Sequence, residues 1–196
     1  MPWFSARPSP WVVRAVREGH FPAGGRILDV GCGSGTTLLW LAGHGFEACG
    51  IDVSPTAVGV AASRARRAGL RVDLRVAGVD RIPFERKTFD GGIDTGCFHS
   101  IPRRLREQYA AEIARVIRPA GLLLLTWIPR EVQSSLGPPH RPSLAEVATV
   151  FEPYFLFDRV DRYASGSPQG WKVLRERMGR CTALLVRRTG RQPRPR

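Results

Sequence analysis

Short apolar runs that read as buried strands alternate along the chain with stretches whose apolar residues recur every three or four positions, as on one face of a helix. Residues 10–18 predict a leading helix with Trp11, Val12 and Val16 on one side. Residues 27–30 then predict a buried strand, 36–42 a helix carrying Leu38, Leu39 and Leu41, and 48–53 a second strand. Ser54 and Pro55 mark a helix start: the serine can accept a first-turn N–H, while proline at the first helical position gives up no useful donor. That helix turns Ala57, Val58, Ala61 and Ala65 inward and is expected to stop at Gly69. Residues 71–76 and 89–94 predict strands three and four. Residues 103–117 predict an amphipathic helix with Leu105, Tyr109, Ile113, Val116 and Ile117 on its apolar face. A turn at 119–121 leads into a fifth strand, 122–127. Ser143 and Glu146 have capping-box spacing ahead of a helix bearing Val147 and Phe151, and strands near 155–163 and 181–186 follow. The alternation predicts an α/β sandwich, with helices on both faces of a mostly parallel sheet and an antiparallel edge.

The chain has 196 residues, of which 43% are hydrophobic and 24% charged, the composition of one globular domain, taken as residues 1–188. Residues 189–196 read as a disordered basic tail. A net charge of +13 would suit nucleic acid, but the arginines are dispersed and only Lys87 and Lys172 are lysines, which argues against a nucleic-acid surface. Cys32, Cys49, Cys97 and Cys181 include no Cys-x-x-Cys pair, against zinc and against a secreted disulfide framework. His20, His44 and His140 have no metal-ligand spacing, so no metal is expected. No apolar run approaches the ~20 residues of a membrane span, and the N-terminus lacks a signal-peptide pattern. A cytoplasmic location is expected.

The segment from Asp29 through Gly31, Cys32, Gly33 and Gly35 lies between the first strand and the first helix after it, where open α/β sheets bind cofactors. A dinucleotide fingerprint would need glycine at 36, which is Thr36. Asp29 would repel a pyrophosphate and tolerate a ligand with a cationic amine and a sulfonium. Asp52, at the end of the second strand, stands where a carboxylate can accept from both hydroxyls of a ribose. A nicotinamide or flavin domain, or a glycine turn without a ligand, is the alternative to that reading.

With Gly50-Ile51-Asp52-Val53-Ser54-Pro55, Ile82-Pro83-Phe84, Phe89-Asp90 and Ile117-Arg118-Pro119-Ala120-Gly121, this segment resembles class I S-adenosylmethionine-dependent methyltransferases over nearly the whole chain. The resemblance implies a Rossmann-like sheet of seven strands in the order 3-2-1-4-5-7-6, with strand seven antiparallel. It implies that the loop from Gly31 to Gly35 lies under the methionine part of the cofactor, that Asp52 holds the ribose and that Val53 packs on the adenine. Relatives carry a Gly-Asp pair after strand three, whose acid accepts from the adenine amine; here Gly78 takes the acid's position. Either Asp80 substitutes, or backbone groups of Gly78 and Val79 read the adenine.

After strand four the chain reads Asp94-Thr95-Gly96-Cys97-Phe98-His99, lacking the motifs of adenine, glutamine and cytosine methyltransferases. It is similar to the thiopurine and tellurite-resistance branch, which acts on small molecules. The resemblance places Thr95 and Gly96 at the cofactor, His99 as candidate general base, and Phe98, Trp127 and Arg130 at the acceptor. A helix-capping or loop-orienting role for His99 weighs as much as the base. Trp3 and Phe4 are similar to a segment that closes over the cofactor, so residues 1–20 would form a lid and helix. The expected reaction is in-line methyl transfer to a small-molecule acceptor. The alternatives are an RNA methyltransferase using the dispersed arginines and a non-catalytic protein that binds S-adenosylmethionine.

Overall fold

A computed structural model of the chain describes residues 6–130, 140–162 and 182–188. Helix α1 (Pro10–Arg17) precedes β1 (Arg26–Val30), α2 (Thr36–Gly43), β2 (Glu47–Asp52), α3 (Pro55–Arg67), β3 (Asp73–Val76) and β4 (Phe89–Thr95). Two single-turn 3-10 helices, Phe98–Ser100 and Arg103–Leu105, lead into α4 (Arg106–Val116), β5 (Ile117–Trp127), α5 (Leu144–Phe151), β6 (Phe155–Arg162) and β7 (Thr182–Arg188). Strands β3-β2-β1-β4-β5 pair in parallel and form the body of the sheet. At its edge β7 pairs antiparallel with β5 and β6 antiparallel with β7, so the order reads β3-β2-β1-β4-β5-β7-β6. The direction of strand order reverses between β1 and β4, which opens a crevice above their carboxyl ends.

The strands of the body are apolar on both sides, as a sheet covered on both faces requires. Leu28 and Val30 of β1 and Leu123, Leu125 and Trp127 of β5 enter one core, with Tyr109 and Ile113 of α4 and Phe151 of α5. Their neighbours Ile27, Leu122 and Leu124 enter the other, with Val12 of α1 and Leu38 and Leu41 of α2. Local signals hold where they were read. Ser54 Oγ accepts from the Ala57 amide at 3.2 Å, and Ser143 and Glu146 form a reciprocal capping box.

Helix and strand bounds differ from expectation at several ends: β3 begins at Asp73 rather than 71, and residues 103–105 form a 3-10 turn ahead of α4; the difference with a consequence lies between α4 and β5. Helix α4 ends at Val116, and β5 already begins at Ile117, which pairs with Phe89. The next register pair is Gly91 with Leu122, so residues 118–121 bulge out of the ladder, with Ala120 at φ 66°. The expected turn is thus a bulge within the strand, a position that also tolerates Pro119, which has no N–H to give. The tail 189–196 and the loop 165–170 lie outside the described residues. No helix among the described residues is long and apolar enough to cross a membrane.

Candidate active site

The loop after β1 turns three times through left-handed backbone, at Gly31 (φ 65°), Gly33 (φ 54°) and Gly35 (φ 83°). Two of these glycines also have a packing reason. A Cβ at Gly31 would lie 2.6 Å from Cys97 Cβ, and one at Gly35 would lie 2.9 Å from Ala61 Cβ, so packing within the protein demands both. A Cβ at Gly33 would meet nothing within 4 Å among the described residues. Asp52 ties the loop to β2: its Oδ2 accepts from the Gly33 amide at 2.9 Å and its Oδ1 from the Ser54 amide at 2.8 Å. Each oxygen keeps a further lone pair for an incoming hydroxyl. Gly31, Asp52, Val53, Ala77, Val79 and Cys97 line a cleft, and the Val53 side chain stands 76% exposed at its rim.

Gly78 sits beneath Asp80, whose Oδ1 occupies the space a Cβ at 78 would fill. The carboxylate two residues along therefore folds back over the position where relatives carry their acid. Gln108 Nε2 donates to the Asp80 carbonyl at 3.0 Å and anchors this segment to α4.

Asp29 is 1% exposed, and its Oδ2 has no hydrogen-bond partner among the described residues. Burial, then the nearby Asp94, push its carboxyl up to about 8. In the donor-free protein it is thus a mostly protonated acid near neutrality, not the charged group expected. Burial and the neighbouring Asp29 and Asp52 push the Cys32 thiol up, and burial and Asp94 do the same to Cys97, so neither is a thiolate.

Above β4, Asp94 organises the chain. Its carboxylate accepts from the amides of Cys97 (2.7 Å) and Phe98 (3.0 Å) and from the Tyr109 hydroxyl (2.8 Å). Burial pushes Asp94 up to about 6, against the pull of these donors. The resulting turn sets Thr95 exposed and Gly96 at φ 98°. It also seats His99, 8% exposed, whose Nδ1 accepts the Ile128 amide proton at 3.0 Å. A neutral imidazole carries one proton, so that proton must be on Nε2. Burial, then Arg141, lower His99 to about 4. The general-base expectation does not fit this geometry, because the nitrogen not bonded to Ile128 already bears a hydrogen.

The structure separates the other expected acceptor residues. Phe98 and Trp127 are fully buried: Phe98 packs against Tyr109 and Phe151, and Trp127 Nε1 donates to the Pro142 carbonyl at 3.2 Å. No side-chain surface of either is left for an acceptor. Arg130 is exposed and pairs with Glu146 at 2.7 Å. Trp3 and Phe4 lie outside the described residues.

One residue that sequence reasoning passed over is Arg64, which donates to the Ser34 carbonyl at 2.7 Å and reaches Ser34 Oγ and Thr36 Oγ1 at 3.3 Å. It braces the glycine loop from α3. The available signal was its place three residues after Ala61, on the side of the helix that meets Gly35. The bond from Tyr109 to Asp94 was also passed over, although a buried tyrosine hydroxyl needs a partner.

Residues 27–121 match the family described as Methyltransferase domain. The chain is 32% identical over 170 residues to a 2-heptyl-1-hydroxyquinolin-4(1H)-one methyltransferase of Mycobacteroides abscessus, an alignment covering 84% of this chain and 74% of the relative. It is 30% identical over 132 residues to the human EEF1A lysine methyltransferase 2, covering 63% of this chain and 56% of that protein. A crystal structure of a SAM-dependent methyltransferase from Methanosarcina mazei superposes with a TM-score of 0.77 at 18% identity, covering 93% of this chain and 99% of that one. The glycine loop braced by Asp52, the crevice between β1 and β4, and a relative matched over most of both chains agree: the chain belongs to the S-adenosylmethionine-dependent methyltransferases.

Proposed function

We propose that this enzyme methylates a small, hydroxylated aromatic acceptor. The observation that carries the proposal is the likeness, over most of both chains, to a protein named for a 1-hydroxyquinolinone acceptor. The acceptor therefore follows that relative rather than the thiopurine and tellurite branch that the residues around His99 resemble.

The residues present fit the donor. Bound S-adenosylmethionine supplies an electrophilic methyl on a sulfonium. Asp52 offers one free lone pair on each oxygen to the ribose hydroxyls, and the Val53 side chain gives the adenine an apolar face. The Asp80 carboxylate, folded over Gly78, accepts from the adenine amine, with Val79 lining the cleft beside it. Asp29, buried beneath Gly31, Cys32, Gly33 and Gly35, acts on the cationic amine of the methionine end through its charge from under the loop, without touching it. Thr95 and Gly96 border the donor at the end of β4. Holding nucleophile, methyl carbon and sulfur in line supplies much of the rate in such displacements.

The test offers the purified enzyme S-adenosylmethionine and a panel of hydroxyquinolinones and phenols, with bulk RNA and total protein as parallel arms. The expected result is a small-molecule product heavier by one CH2, with an equal amount of S-adenosylhomocysteine. Methyl transfer confined to the RNA or protein arm would overturn the proposal.

A further inference from the structure

We infer that this site takes acceptors that arrive already ionised, and that His99 serves them as a hydrogen-bond donor through Nε2–H. The inference rests on the small-molecule reading above and specifies its substrate class: acidic hydroxyl compounds bound as oxyanions.

The geometry starts at β5. Ile128, the first residue past that strand, directs its amide into His99 Nδ1 at 3.0 Å. This bond joins the segment after β4 to the end of β5 and holds the ring in one tautomer. The opposite edge of the ring lies against Gly96: Nε2 and Cε1 are each 3.2 Å from where a Cβ at 96 would stand. Gly96 precedes Cys97, which lines the cleft against Gly31. The ring thus presents a hydrogen, not a lone pair, beside the turn that borders the cleft.

No neighbouring group among the described residues is placed to take the acceptor's proton instead. On β4, Asp94 is fully buried and already accepts from two amides and a hydroxyl. On α4, the Tyr109 hydroxyl is fully buried and spends its hydrogen on Asp94. In the turn, the Cys97 thiol is pushed up by burial and by Asp94. Asp29 lies on β1, beneath the glycine loop on the donor's side.

A cation also acts on the ring. Arg141, ahead of α5, opposes protonation of His99. Arg106, at the start of α4, sets its guanidinium 5.4 Å from the Phe98 ring and donates to the His140 carbonyl. Arg130, past β5, is paired with Glu146. A neutral donor with Arg141 acting on it favours an anion.

In the transfer itself no proton then moves. The acceptor loses its proton to solvent before binding, its oxyanion forms the new O–C bond, and the C–S bond breaks with its electron pair going to sulfur. A neutral thioether and a neutral ether result.

The experiment uses 4-nitrophenol, whose ionised form has its own absorbance band, with enzyme saturated by S-adenosylhomocysteine; a calorimetric titration first confirms that the homocysteine binds. Bound 4-nitrophenol should titrate about one pH unit or more below the free compound, as expected when a donor stabilises the anion. Glutamine can place a carbonyl at Nδ1 and an N–H at Nε2, so H99Q should keep that shift, whereas H99A should lose it. In turnover, the pH midpoint of kcat/KM should track the acidity of each phenol in a graded series. H99A should lower kcat/KM about tenfold to a hundredfold, with H99Q recovering most of it. A shared midpoint for all phenols, an H99Q as slow as H99A, binding of neutral 4-nitrophenol, or no phenol binding to the homocysteine-loaded enzyme would each overturn the inference. Failure to bind S-adenosylhomocysteine at all would instead bring down the donor-site reading beneath it.

Discussion

Replacing Asp29 by asparagine should make the donor-free protein more stable above neutral pH and worse at holding its donor. Asp29 is 1% exposed with one oxygen unpartnered among the described residues, and its carboxyl stands at about 8 instead of 3.8. At about 1.4 kcal/mol for each tenfold in proton affinity, that difference is worth roughly 5–6 kcal/mol between acid and alkaline limits. Its sign follows from which state keeps the proton. The native chain holds it across the interval from 3.8 to about 8, while the unfolded chain releases it near 3.8. The stabilisation is therefore complete below the lower value, declines as pH rises and is gone above the upper one. Asparagine resembles the protonated acid in shape and cannot ionise. Allowing for imperfect pairing of its amide, D29N should exceed the parent by roughly 2–5 kcal/mol at pH 8.5, or roughly 5–15 °C in Tm for a chain of this size. Urea unfolding followed by circular dichroism at pH 5, 7 and 8.5 measures this directly. Asp94 titrates in both proteins, and because it repels Asp29, D29N also relieves that repulsion and adds to its advantage in the same direction. The reasoning fails if the advantage of D29N is the same at pH 5 as at pH 8.5, for then no proton is involved. The same variant should bind S-adenosylmethionine about threefold to tenfold more weakly, because a buried carboxylate that ionises beneath the cationic donor is lost. A site that trades stability for ligand binding behaves in this way.

Three further variants test the neighbouring parts. D52N removes the charge of a side chain whose two oxygens accept from the Gly33 and Ser54 amides and, with it, one of those acceptors; calorimetry should show S-adenosylhomocysteine binding weakened by about 1.5–3 kcal/mol or more. G78A forces a methyl into space held by Asp80 Oδ1, so it should mimic D80N. Both should lose affinity for S-adenosylhomocysteine by about 1 kcal/mol or more, and neither should lose it for the analogue lacking the adenine amine. Y109F removes the hydroxyl that donates to Asp94 at 2.8 Å and should cost about 1.5–3 kcal/mol in urea unfolding, with the Asp94 carboxyl pushed further up.

What the sequence discloses and what it hides divide along the distance over which each feature is decided. The Ser54 cap and the Ser143 to Glu146 box close within four residues, so the chain spells them out locally. The carboxyl edge of β1 is legible for the same reason, because three glycines in five residues after an apolar run mark a tight turn at a strand end. The end of α4 is not: whether Ile117 continues the helix or opens β5 depends on Phe89, twenty-eight positions earlier, which offers it a strand partner.

The chemistry is decided over still longer reaches. Gly31 looks like room made for a ligand, yet the group that forbids a side chain there is Cys97, brought over from β4. The resemblance puts Phe98, within the run after β4, and Trp127, at the end of β5, at the acceptor, and packing with α4 and α5 buries both. His99 shows the consequence most sharply. Histidine at that position is equally compatible with a base and with a donor, and the choice belongs to an amide twenty-nine residues downstream. A residue type announces which protons a side chain can carry, but only its long-range partner settles where the proton sits, and so whether the site pulls a proton from its acceptor or steadies one that has already lost it.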